Sequence, residues 1–195
     1  MCAGLRLGRL LRCVRAGEKS LVSQHPQVAV APNSIHVDSP AFANGQPIPL
    51  RDTSSGEEIF PPLRWSHLPP QSRELVLIVE DADAPLPRPI VHVLVYGINV
   101  RSSGIEEGAL PPHRDMAKGI RQHELAVGRN SFGTAAWLGP HPMAGHGVHR
   151  YFFQLFALDR SVSFAQPPNR KQMLRAIRGH VLARGVTVGT CSRAT

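Results

Sequence analysis

Cysteine is scarce in this chain of 195 residues: Cys2, Cys13 and Cys191 are all there is. Three is an odd number, two of them sit near the start, and no pair has zinc-finger spacing. That excludes a disulfide framework and a metal finger, and makes a reducing compartment the simpler setting. Long apolar runs are also missing, and none approaches the roughly 18 residues of a membrane span. Aromatics amount to 6%, with no run of exposed stacking residues, so no specific nucleic-acid partner is expected. Catalytic signatures are missing too. There is no G-x-S-x-G elbow, no H-E-x-x-H, no P-loop and no complete G-x-G-x-x-G, and nothing around Ser131 would make it a nucleophile. No cofactor is called for.

Proline and glycine are plentiful, at 18 and 17 residues. A helical bundle tolerates so many breakers poorly, which favours short strands and ordered loops. Hydrophobic residues at 42% suffice for a core, and charged residues at 18% are too few for a disordered chain. The net charge of +8 belongs to the ends. Residues 161–195 hold six basic residues and no acidic one, whereas residues 21–160 hold 11 basic and 13 acidic.

Residues 1–30 form an N-terminal helix and linker, and residues 31–195 a single domain. Arg6, Arg9, Arg12 and Arg15 recur every three residues among Leu5, Leu7, Leu10, Leu11 and Val14, as in a basic amphipathic helix. Three readings fit: a mitochondrial targeting segment, membrane-surface contact through residues 1–20, or a short helix docked on its own domain or a partner. His25 to Asn33 reads as extended linker. Within the domain, Ser34–Asp38 alternates like a strand. Leu75–Val79 is a β-branched apolar run suited to a strand buried on both faces, and Ile90–Ile98 and Tyr151–Leu158 are similar. Residues 101–147 are loop-rich, which in a compact domain points to function. Asn169 is placed to cap a helix with an apolar stripe of Met173, Leu174, Ile177, Val181 and Leu182, ended by Gly185, before a last strand at Val186–Val188.

Chemistry concentrates at a few points. Asp81 and Asp83 follow the buried strand. Two apart in extended backbone, their carboxylates would face one spot, beside the rigid Ala84-Pro85. They could bind a metal, share a proton or orient a histidine; the plain alternative is an Asx turn ending the strand. His92 lies inside an apolar strand and needs partners for its ring nitrogens, either a backbone carbonyl or a pocket ligand. His149 shares parity with Tyr151 and follows a glycine- and proline-rich loop, Gly139–Gly147, able to bring backbone N–H groups close to a ligand. Arg150 offers a charge or a partner for an acid. His146 and His149 alone are a weak zinc signal.

In order along the chain, Leu77-Ile78-Val79-Glu80-Asp81-Ala82-Asp83-Ala84-Pro85, His92, Gly128-Arg129-Asn130-Ser131-Phe132-Gly133, Gly139-Pro140 and Gly145-His146-Gly147-Val148-His149-Arg150-Tyr151 resemble the phosphatidylethanolamine-binding protein family, in its bacterial-type Raf-kinase-inhibitor-like branch. The resemblance spans about residues 34–191. It implies a mainly β, Greek-key arrangement of two antiparallel sheets with few peripheral helices. It also implies a ligand-binding pocket of Asp81, Asp83, Pro85, His92 and His149 with Tyr151 nearby, walled by Gly139–Gly147. The chain departs from the family pattern at Ala82, where a proline is usual, at Val93, where a tryptophan is usual, and at His141 and Met143.

The function this implies is non-catalytic binding of a phosphate-like anion or phosphorylated head group, with regulation of a kinase or protease partner as a family precedent. The chain is then not an enzyme. Family members of this branch suggest a cytoplasmic setting, against the mitochondrial reading of residues 1–20, and in some cases a homodimer. Two alternatives come from other classes. One is an acid–base or metal-dependent hydrolase using Asp81, Asp83, His92 and His149. The other is a dimeric interaction module with a vestigial pocket.

Overall fold

A computed structural model describes residues 7–114 and 125–193. Residues 1–6, which carry Arg6 of the basic repeat, and residues 115–124 of the loop-rich stretch lie outside the described residues. Among the described residues eight strands form two antiparallel sheets. The smaller sheet joins β1 (His36–Asp38), β2 (Leu63–Ser66) and β5 (Gly104–Ile105) in the order β1-β2-β5. The larger joins β3 (Glu74–Asp81), β4 (Ile90–Ile98), β6 (Ala126–Gly128), β7 (Val148–Leu158) and β8 (Val181–Ser192) in the order β6-β4-β3-β7-β8. Strands β3, β4 and β6 lie side by side and β7 returns to the free side of β3, which is a Greek key. Among the described residues the α-helices are a turn at residues 7–10 (α1), Pro26–Ala29 (α2) and Arg170–Ile177 (α3).

The apolar run of β3 is explained by burial on both faces; every residue from Glu74 to Asp81 is buried. Leu75, Leu77 and Val79 meet Val93, Val95, Phe153 and Leu155 in the core between the sheets, with Phe60, Trp65 and Trp137 opposite. Val76 and Ile78 face the other way, against Phe156, Leu158, Met173 and Ile177 under α3. Val22 and Val28, both fully buried, complete that second core. The stretch expected as extended linker is therefore packed. Pro26 starts a helical turn that His25 caps by accepting from Gln27 N–H, and Val28 points inward.

The capping signal at Asn169 holds, with a full capping box to Gln172. The helix is shorter than its stripe suggested, ending at Ile177 ahead of Gly179, whose φ is 79°. Val181 and Leu182 already belong to β8, a strand of 12 residues rather than three. Gly185 does not end a helix. It sits inside β8, where a Cβ would come within 2.3 Å of the Ile35 carbonyl oxygen, so its bare backbone lets the residue-35 segment cross β8.

Trp137 is fully buried, stacks edge-on with Phe60 at 5.3 Å, and donates its indole N–H to the Asp52 carbonyl at 3.3 Å. The Asp52 carboxylate is itself buried, with neither oxygen hydrogen-bonded among the described residues; Arg51 Nε is 3.6 Å away. Burial pushes its carboxyl up to about 6, against the pull of Arg51. A raised carboxylate favours the fold below the unfolded value and loses that contribution as pH rises through about 6. Asp52→Asn, uncharged throughout, should therefore raise stability in urea by about 2–3 kcal/mol at pH 7.5. The gain should shrink toward zero by pH 4, and an equal gain at both pH values would contradict this origin.

Candidate functional site

The larger sheet ends in a cluster of polar side chains. In the ladder Asp81 is opposite Ile90 of β4 on one side and Tyr151 of β7 on the other. His92 lies where the β3–β4 register slips between Val79 and Glu80, which turns its ring toward the core side. It meets Tyr151 edge-on at 4.9 Å and lies 6.1 Å from Trp137. Asp81, His92 and Tyr151 line a cavity of about 320 Å³. Ile90 and Phe132 add apolar wall, and Leu138, Gly139 and His141 of the glycine–proline loop close another side with Ser54.

Two polar atoms of this lining, His92 Nε2 and the Tyr151 hydroxyl, are buried without a hydrogen-bond partner among the described residues. His92 Nδ1 is 2.5 Å from the Leu138 carbonyl. A carbonyl only accepts, so Nδ1 carries the hydrogen and Nε2 of the neutral ring is a bare acceptor. Burial, outweighing the nearby Asp81 charge, keeps the imidazole below its ordinary value and hence neutral. Burial and then Asp81 push the Tyr151 hydroxyl well above 10, so it stays a donor.

Asp81 and Asp83 do not converge. β3 ends at Asp81, and the Asp81 side chain accepts from Asp83 N–H at 2.7 Å, the Asx turn that was the plain alternative. The chain bends there, so two-residue periodicity no longer holds. Asp83 is turned to Arg150, which reaches it with Nε and Nη2 at 2.8 Å each and with its own backbone N–H at 2.9 Å. Arg15 adds a contact at 2.9 Å. Burial alone would push Asp83 up, but Arg150 and Arg15 hold it below the usual carboxylate range.

Asp83, Pro85 and His149 are thus absent from the cavity lining, while Asp81, His92 and Tyr151 belong to it. His149, 2% exposed, has both ring nitrogens engaged: Nδ1 lies 2.8 Å from Asp81 Oδ2 and Nε2 lies 2.7 Å from His146 Nδ1. It holds Asp81 from behind. Among the described residues no group of three or more His, Cys, Asp or Glu is disposed to hold a metal.

The glycine–proline loop is a wall, but its first donors are already spent. Leu138 N–H donates to the His92 carbonyl at 2.9 Å and Gly139 N–H to Glu58 at 3.0 Å. Glu58 ties this corner together, accepting also from Arg114 N–H, Arg114 Nε and the Ser54 hydroxyl. Burial alone would push Glu58 up; these bonds hold it below the ordinary carboxylate range. At the rim Arg193 Nη1 donates to His141 Nε2 at 2.7 Å. Ser54, Glu58 and Arg193 carry no local sequence signal, and only the fold brings them here.

The N-terminal segment docks on its own domain. Ala16 and Gly17 N–H donate to the Ala84 and Ala82 carbonyls at 3.0 and 2.8 Å, Arg12 Nε to the Gly145 carbonyl at 2.9 Å, and Arg150 pairs with Glu18.

The family model for phosphatidylethanolamine-binding protein matches residues 38–192, and the chain belongs to that family. A UPF0098 protein of Pyrococcus horikoshii is 36% identical over 181 residues, covering 93% of this chain and 82% of its own length. A second, from Methanothermobacter thermautotrophicus, is 37% identical over 153 residues, covering 78% of this chain and 95% of its own length. Among solved structures, CT736 of Chlamydia trachomatis, described as a homologue of the phosphatidylethanolamine-binding protein, superposes with a TM-score of 0.71 at 32% identity, over 83% of this chain and 99% of its own. E. coli YbcL shares the fold, with a TM-score of 0.72 at 22% identity over 82% of this chain and 99% of its own. No helix among the described residues is long and apolar enough to cross a membrane.

Arg150→Ala should leave the buried Asp83 carboxylate to Arg15 and the backbone N–H of residue 150. A loss of about 2–3 kcal/mol in urea unfolding at pH 7 is expected, below the full cost of stranding a buried charge because Arg15 remains. A depressed carboxylate stabilises above its unfolded value and loses that as pH falls through the folded one, so the difference from the parent chain should narrow below pH 4. An unchanged midpoint at pH 7 would show the pair to be idle.

Proposed function

We propose that the cavity binds a phosphate-type anion or phosphorylated head group in its protonated, singly charged form, and that it binds without turnover. The observation that carries this is the pair of unpartnered buried atoms, His92 Nε2 and the Tyr151 hydroxyl, in one small cavity with Asp81. A buried polar atom without a partner costs of order 1–3 kcal/mol. A ligand that satisfies both recovers that cost. It must accept from Tyr151 and donate to His92 Nε2 or Asp81. Dihydrogen phosphate, or a phosphomonoester monoanion with its one P–OH, does both, and a volume of about 320 Å³ suits a head group better than a whole lipid.

Binding without turnover is supported by the one hydroxyl nucleophile in the lining besides Tyr151. Ser54 shares its one hydrogen between the Gly139 carbonyl at 2.7 Å and Glu58 at 3.1 Å, a carboxylate already filled by other donors, so it has no free base. A cytoplasmic, reducing setting suits the unpaired Cys13 and Cys191.

Inorganic phosphate titrated into 15N-labelled protein should shift the resonances of His92, Tyr151 and the Leu138–His141 loop at millimolar concentration. Tyr151→Phe should weaken the response about tenfold, the loss expected for one hydrogen bond to a charged ligand. Affinity should rise from pH 8 to pH 6. Burial keeps His92 neutral and its Nε2 an acceptor, and the P–OH form that can donate to it is favoured as pH falls. No response up to tens of millimolar phosphate at pH 6 would overturn this reading.

A further inference from the structure

Asp81 poses a difficulty for any anion site, because a carboxylate in the wall repels an anion. Its environment suggests how that is met. Three short contacts run in a line away from the cavity. Asp81 Oδ2 is 2.8 Å from His149 Nδ1, His149 Nε2 is 2.7 Å from His146 Nδ1, and His146 Nε2 is 2.8 Å from the Leu11 carbonyl and 3.1 Å from the Val14 carbonyl. His146 and His149 are 1% and 2% exposed.

The far end fixes the direction of the line. Carbonyl oxygens only accept, so His146 Nε2 carries a hydrogen. Each of the other two contacts also needs one, since two ring lone pairs do not approach to 2.7 Å unaided. Three bonds need three hydrogens, and two neutral imidazoles bring two. The third is an added proton, held between the rings or on the Asp81–His149 pair, and it cancels the carboxylate charge.

We propose that Asp81, His149 and His146, closed by the Leu11 and Val14 carbonyls of the N-terminal segment, form a net-neutral unit that holds one extra proton and so makes the cavity wall compatible with an anion. His146 is a positioning residue here: it does not line the cavity, and it sets the charge state of the residue that does. The unit depends on chain outside the family-matched residues 38–192. This inference rests on the anion-binding reading for its purpose, though not for its proton count.

Several ionisable groups face the unit. They are Asp83 beyond the turn, His92 in β4, Tyr151 and Arg150 in β7, Cys191 paired with His149 in the β7–β8 ladder, and Arg12 and Arg15 of the N-terminal segment. Arg15 is spent on Asp83 and the Val148 carbonyl, and Arg150 on Asp83 and Glu18, so neither cation is free to neutralise Asp81. Burial holds the Cys191 thiol up, which keeps it uncharged.

Long-range 1H–15N correlation on the ligand-free full chain at pH 7 reads ring protonation directly. His149 should show both ring nitrogens protonated, or one proton shared with His146. Two comparisons in the same full chain sharpen the result. In His146→Gln the amide oxygen still accepts from His149 Nε2–H, so the doubly protonated signature should persist. In His146→Phe no acceptor remains, and His149 should revert to the neutral Nδ1–H form. That restores one negative charge beside the cavity and should weaken phosphate binding roughly tenfold at pH 7. Neutral His149 and neutral His146 beside an ionised Asp81 in the parent chain overturn the proposal whatever phosphate does. A doubly protonated His149 without phosphate binding sustains the proton count and sinks the anion reading instead. Should His146→Phe fail to fold, the parent and His146→Gln spectra still decide.

Discussion

A strand covered on both faces cannot carry a carboxylate unless something inside the protein meets it. β3 ends in Glu80 and Asp81, with Asp83 two residues on, and much of the molecule is arranged to answer these three charges. Glu80, on the α3 side, receives Arg170 Nε at 2.6 Å, Gln154 Nε2 at 2.8 Å and the Val22 N–H at 2.8 Å. Asp81, on the other side, receives His149. Asp83, past the bend, receives Arg150 and Arg15. Each answer recruits a different part of the chain, so one short acidic run fastens the N-terminal segment, α3 and β7 to a single strand end.

That arrangement explains why the pocket differs from a simple cluster of its acids and histidines. Of the paired acids, Asp81 is left on the cavity side and Asp83 serves as an anchor. Of the two histidines, His92 offers its free nitrogen to the cavity, while His149 spends both of its own behind Asp81. Within the lining, His92 Nε2 and the Tyr151 hydroxyl are the polar atoms left with unmet hydrogen bonds among the described residues.

The parts legible in the sequence were those governed by local pattern. The continuous apolar runs of β3, β4 and β7 announced strands buried on both faces, and Asn169 announced its capping box. The family resemblance, carried by the acidic turn and the Gly-x-x-His-Arg-Tyr segment, supplied the sheet arrangement that periodicity alone does not. Long-range partnership was not legible. Val181 and Leu182 fit a helical stripe and a strand equally, and only pairing with β7 decides for the strand. Asp81 and Asp83 read as convergent because extended backbone was assumed past Asp81, where the Asx turn redirects it. Ser54, Glu58 and Arg193 gave no signal, since their place at the cavity depends on contacts across 52 residues or more.

The bonds that dock the N-terminus span unusual distances along the chain: Leu11 to His146 is 135 residues, and Arg12 to Gly145 is 133. A stretch made early therefore finds these partners late. At synthesis rates of about 5–20 residues per second, it waits on the order of ten seconds for β7 to appear. Through that interval an arginine- and leucine-rich segment stands without the surface that covers it. The contacts that complete the pocket's back wall are thus a later event in the making of each molecule, and they wait on the synthesis of the segment from Gly145 to Arg150.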